Sequence, residues 1–182
     1  MNNQTKYKIN LKYTAICNIA VLLTFFFHEG AHFIMGEILG YDMWMNLNSA
    51  NIANGGNYSN EWENQLVSAA GPLFTIAQAI LFFIIINKST KLNWYPFLFV
   101  TALMRSFAAV ISATIMANDE ARVSEWLGIG KMTLPIIVSV FLIGLLIKTS
   151  RKQKISWKFN LITFLLISIN IIALVYINQY YL

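Results

Sequence analysis

The chain is short of cysteine, histidine and charge, and each shortage excludes something. A single cysteine, Cys17, rules out an internal disulfide and any thiolate-built metal site, and it reads as a small packing residue. Only 12% of residues are charged while 57% are hydrophobic, with a positive mean hydropathy, which excludes an ordinary soluble domain and points to an integral membrane protein. The formal net charge of +5 does not indicate nucleic acid. The bases lie in short segments between apolar runs and are not gathered on one face. No internal repeat is evident.

What is present is a series of apolar runs long enough to cross a bilayer, at residues 13–39, 65–87, 96–117, 126 or 132 to 147, and 159–181. They predict an all-α, polytopic membrane helix bundle of about five transmembrane helices. The first run follows Lys6, Lys8 and Lys12 as a signal peptide would, yet it is too long and lacks a small-residue cleavage site, so it is expected to be retained. Residues 41–64 turn to Asn, Gly, Ser and acids, with a turn signal at residues 54–57. Within them residues 43–48 alternate with period two. They suit either a short strand along the membrane surface or a solvated loop with Trp44, Tyr58 and Trp62 at the interface. An N-terminus in the cytoplasm puts ten of the thirteen bases on the inner side, with Arg105 inside a span and Arg122 and Lys131 outside. This topology predicts a multi-pass protein of the cell membrane whose acids, Asp119 and Glu120 among them, lie toward the outer face.

The two histidines of the chain, His28 and His32, stand four residues apart in the first run, inside His28-Glu29-Gly30-Ala31-His32. On a helix that spacing puts both rings on one face, about 40° apart in azimuth. They can hold one metal ion while Glu29, beside the first ligand, serves as general base toward water at the metal. Ionisable groups within a span are expensive and mark a site. Gly30, Ala31, Gly36 and Gly40 leave the same helix open to close approach by another backbone. A second small-residue cluster, Ser68-Ala69-Ala70-Gly71-Pro72-Leu73-Phe74-Thr75, opens the next span on the side nearer the histidines. With neither a third histidine nor a suitable cysteine, a third metal ligand must be a carboxylate, or an amide or water in a poorer site. Asp119 is preferred, being closer to the end of the third span and flanked by Asn118. Glu120 could serve instead, or support the ligands from behind. Acids where a helix leaves the membrane sit at the unfavourable end of its dipole, and such a cost invites a reason. Arg105, within the third span, is read as structural, snorkelling or pairing with a polar partner. The last two spans carry no acid and no histidine and read as packing.

In these elements the sequence resembles the site-2 protease family of intramembrane zinc metalloproteases. The likeness rests on His28-Glu29-Gly30-Ala31-His32 in a membrane helix, Ala70-Gly71-Pro72-Leu73-Phe74 opening the next span, and Asp119 beyond the one after. It implies a three-helix catalytic core over residues 13–125, with residues 126–182 adding two spans. It also implies Zn2+ held by His28, His32 and Asp119, Glu29 as catalytic base, and a membrane protein or peptide as substrate. Family members often show Leu-Asp-Gly at the metal aspartate, where this chain has Asn118-Asp119-Glu120, and many carry Asn where Thr75 stands. Many also face their metal toward the cytoplasm, opposite to the side that the charge bias selects here. An unwound substrate peptide could add to a strand edge within residues 43–48, with Met45→Pro as the probe. The alternative to hydrolysis is a zinc-binding membrane protein, whether transporter, sensor or pseudoprotease adaptor. That use needs the ligands and not Glu29.

Overall fold

A computed structural model describes residues 8–89 and 92–181. Lys6 and Lys91, which entered the topology above, lie outside the described residues. The chain folds as α1 (Leu11–Ile38), β1 (Met43–Met45), β2 (Ala50–Ile52), α2 (Glu61–Ser89), α3 (Tyr95–Thr114), α4 (Asp119–Trp126), α5 (Thr133–Lys152) and α6 (Trp157–Tyr181). All but α4 among the helices are long and apolar enough to cross a membrane. The fold is therefore an all-α membrane helix bundle, with one two-stranded hairpin as its sheet.

Local chemistry sets the ends of these elements. Asn10 caps α1 by accepting from the Tyr13 amide at 2.9 Å. Gly40, at φ +90, stops α1 where a side chain would be strained. Glu63 reaches back to the Asn60 amide at 2.9 Å, the reciprocal half of a capping box, and fixes the start of α2. The segment from residue 43 does form a strand, but a shorter one than its alternation predicts. β1 pairs antiparallel with β2, Trp44 opposite Asn51. Met43 seats the hairpin on α1 at Gly36, where an added Cβ would collide with the Met43 side chain. The Leu47 amide donates to Asn178 Oδ1 of α6 at 3.1 Å, tying the hairpin tip to the last helix.

The third span ends sooner than expected. α3 stops at Thr114, and residues 119 and 120 open a separate short helix, α4. Asn118 joins the two: its amide donates to Ser112 Oγ at 3.1 Å and its side chain to the Ala108 carbonyl at 3.0 Å. The two acids thus occupy the first turn of a helix, where the dipole favours negative charge. The unfavourable placement inferred from the sequence came from running the third span on to residue 117.

Apolar packing joins the helices, with buried Val21, Phe25, Leu98, Phe99, Ile167 and Ile171 among the core residues. Several buried polar side chains pair across the bundle. Gln78 of α2 donates to Thr24 Oγ1 of α1 at 2.7 Å, and Tyr13 of α1 meets Thr163 of α6 at 3.0 Å. With no water to compete in hydrocarbon, such pairs fix which helices are neighbours.

Candidate metal centre

Five groups meet at one end of the α1, α2 and α3 bundle. His28 and His32 come from α1, and their Nε2 atoms lie 3.3 Å apart. Asp119 Oδ2 lies 3.3 Å from His28 Nε2 and 3.6 Å from His32 Nε2. Both imidazoles are buried. Glu29, also buried, shares the wall of the same cavity of ≈ 500 Å³. Arg105 enters from α3, buried and lining the same cavity.

The orientation of each imidazole follows from its other nitrogen. His32 Nδ1 lies 2.6 Å from the Val67 carbonyl oxygen, so it carries the proton and donates. His28 Nδ1 lies 3.0 Å from Thr75 Oγ1, whose own hydrogen goes to the Gly71 carbonyl. That hydroxyl therefore accepts, and His28 Nδ1 donates as well. In each neutral ring Nε2 is left with its lone pair, and the two lone pairs point at each other and at a carboxylate oxygen. Three electron pairs facing inward over so short a span call for a cation between them.

The geometry fits one. A tetrahedral ion with N and O ligands at about 2.0–2.1 Å separates neighbouring ligand atoms by roughly 3.3–3.4 Å. The observed edges are 3.3, 3.3 and 3.6 Å. His28, His32 and Asp119 form a group that could hold a metal ion. The Arg105 guanidinium, with Nη1 3.4 Å from Asp119 Oδ2, favours the ionised carboxylate. Asp119 thus offers an anionic oxygen, and its second oxygen is held at 2.9 Å by Arg122, one turn along α4.

α2 makes the close approach possible. A Cβ on Gly71 would collide with His32 Nε2 and His28 Cε1, so no other residue lets this helix pass the ring pair undisturbed. Next to it, Pro72 has no N–H for the carbonyl of residue 68 and loosens the helix at that turn. The carbonyl just before, that of Val67, is the one that takes the His32 proton.

Sequence spacing paired the histidines and brought Asp119 and the Gly71-Pro72 turn to the same end; the structure puts all of them in contact distance. Glu120 is turned elsewhere. Both of its oxygens lie 3.1 Å from Arg105 Nη1, a buried ion pair behind Asp119. Arg105 does not snorkel. Its Nη1 also lies 3.4 Å from Asp119 Oδ2, and its Nη2 3.5 Å from His28 Nε2. Sequence reasoning left Arg105 out of the site, although an arginine deep in a span is itself a signal. Val67 carried no such signal, because it contributes through its backbone. The last helix supplies apolar wall and no chemical group: Ile171 and Val175 of α6 line the cavity, as do Asn48, Ala50 and Asn51 of the hairpin.

Fold and site together define a polytopic membrane helix bundle with an enclosed His-His-Asp group able to take a metal ion. Comparison with protein-family models, curated proteins and solved structures finds no match to this chain.

Proposed function

We propose that the chain is an intramembrane zinc metalloprotease that hydrolyses peptide bonds in membrane-embedded or membrane-proximal segments of other proteins. The observation that carries this reading is a buried carboxylate, Glu29, on one cavity wall with three converging ligand atoms, His28 Nε2, His32 Nε2 and Asp119 Oδ2. Two imidazoles and one carboxylate, with room for a fourth ligand, are a donor set suited to catalytic zinc. When bound, zinc would supply a Lewis acid that acidifies water and polarises a carbonyl.

The chain's own groups do the rest. His28, His32 and Asp119 hold the ion. Glu29 takes a proton from water as the water oxygen bonds to the peptide carbon, then gives that proton to the nitrogen as the C–N bond breaks. A substrate helix must first unwind, because its carbonyls are already paired within the helix. The polar side chains of Asn48, Ser49 and Asn51 on the cavity wall can take up the peptide groups so released.

Wild-type protein and Glu29→Gln, purified side by side, are to be incubated with a panel of single-span membrane substrates and analysed for zinc. Both should carry one equivalent of zinc, and the variant should lose turnover by about 10²–10⁴-fold. Transport or sensing uses the ligands without the base, so equal behaviour of the two proteins in every assay would end the hydrolytic reading.

A further inference from the structure

Among the described residues Arg105 is the one strong cation within reach of both His28 and Asp119, and the hydrolytic scheme above does not use it. It is 4% exposed, and Glu120, its partner, is 5% exposed. A guanidinium has five N–H donors. Nη1 is committed, to both Glu120 oxygens at 3.1 Å and to Asp119 Oδ2 at 3.4 Å. Nη2 has a single polar contact among the described residues, His28 Nε2 at 3.5 Å. Nε has no hydrogen-bond partner among the described residues. The backbone of Arg105 is pinned as well, its carbonyl accepting from Ser139 Oγ of α5 at 3.3 Å.

The guanidinium faces the inward lone pairs and moderates their crowding. With His28 Nε2 committed to a metal ion, Nη2 would have no acceptor among the described residues. A buried donor with no acceptor is costly, and Glu120 prevents the group from swinging away. Arg105 lines the cavity that Glu29 also lines, and Nη2 would then need an oxygen that carries negative charge. A peptide carbonyl develops that charge as it is attacked.

We propose that Arg105, clamped by Glu120, is a further catalytic residue that donates through Nη2 to the carbonyl oxygen of the substrate as that oxygen becomes negative. This rests on the protease reading for its substrate but on the geometry alone for its anion. As the water oxygen bonds to the carbonyl carbon, the C=O π pair moves onto oxygen and Glu29 takes the water proton. Arg105 keeps its own proton and stabilises the new charge through a hydrogen bond. Collapse restores the C=O bond and expels the amine nitrogen, which takes the proton from Glu29. Glu120 acts through Arg105 as a positioning residue: it holds the fork in place and offsets its charge next to a divalent ion.

The test compares wild type with the double variant Arg105→Gln/Glu120→Gln, in which no buried charge is left without its partner. Zinc content, kcat and KM on single-span substrates, and binding of a phosphinic dipeptide with two leucine side chains, a mimic of the charged tetrahedral carbon, are to be measured. The variant should keep one equivalent of zinc, lose about 100-fold or more in kcat with KM changed less than about twofold, and bind the phosphinate more weakly by a similar factor. Zinc loss in the variant, or phosphinate binding no weaker than in wild type, overturns the proposal. Should the double variant not fold, Arg105→Lys keeps the charge and the Glu120 partner but lacks Nη2. It should show an intermediate loss of phosphinate affinity, and an unchanged affinity overturns the proposal equally. The two readings fail separately. Wild type that cleaves nothing yet binds phosphinate more tightly than the variant removes the protease and keeps the anion donor. A variant that cleaves as fast as wild type does the reverse.

Discussion

Thr75 shows how much of the centre depends on groups that never touch a metal. Its hydroxyl gives its hydrogen to the Gly71 carbonyl and accepts from His28 Nδ1, which fixes the tautomer of that ring. Thr75→Val keeps the shape and removes the acceptor. We expect metal affinity to fall about 10–100-fold with helix content unchanged, read by competition against a chromogenic chelator and by circular dichroism. His32 has no such weak point, because its orienting partner is a main-chain carbonyl. The residues that supply lone pairs were legible in the sequence: a four-residue interval fixes the azimuth of two imidazoles, and the scarcity of other donors directs attention to Asp119. Arg105 and Glu120 were less legible. Whether a charged residue in a span faces water, lipid or a partner depends on the rotation of its helix, and apolar runs of low amphipathicity do not encode that rotation.

The elements that bring these residues together are short and locally specified. Gly71 is the contact point of α2 with the ring pair, so Gly71→Ala should overpack it, at a cost of about 1–3 kcal/mol, and should impair metal binding more than Thr75→Val does. Thermal unfolding in detergent and the same chelator titration would measure the two effects. The hairpin offers a separate check. Its closing bond runs from the Asn46 amide to the Ser49 carbonyl at 2.9 Å, and the Ala53 amide meets the Asp42 carbonyl at 2.8 Å. Alternation between them turns the amide of Ala50 away from β1, on the strand that lines the cavity. The informative proline is therefore at Ala50 and not at Met45, since the edge toward the cavity belongs to β2. Ala50→Pro should lower turnover of membrane substrates while leaving the zinc equivalent in place; full turnover would show that no peptide pairs there. Period-two alternation admitted β1 as one of two readings of residues 43–48, but β2 is too short and too mixed to announce itself. The break after Thr114 was hidden in the same way: residues 115–117 are apolar, and the ties that mark the break, from the Asn118 amide and side chain back to α3, lie beyond them.

At the scale of the molecule, apolar length made the five spanning helices readable, and their neighbours were not. The polar pairs that choose those neighbours, such as Tyr13 with Thr163, are 150 residues apart in sequence. The positive-inside bias makes a prediction for the whole bundle. With Cys17→Ser as background, a probe introduced as Ser59→Cys should react with an impermeant maleimide in intact cells. One introduced as Ser156→Cys, in the connection between α5 and α6, should react only after permeabilisation. The opposite pattern would put the metal centre on the cytoplasmic side. In either orientation the acid of the His-His-Asp group belongs to α4, an eight-residue helix outside the spanning set, held over the imidazoles by the buried Arg105 of α3, which meets both Asp119 and Glu120. Were an ion held there, one of its three ligands would come from a helix too short to cross a bilayer, so loss of that one short helix would open the cage with the five spanning helices intact.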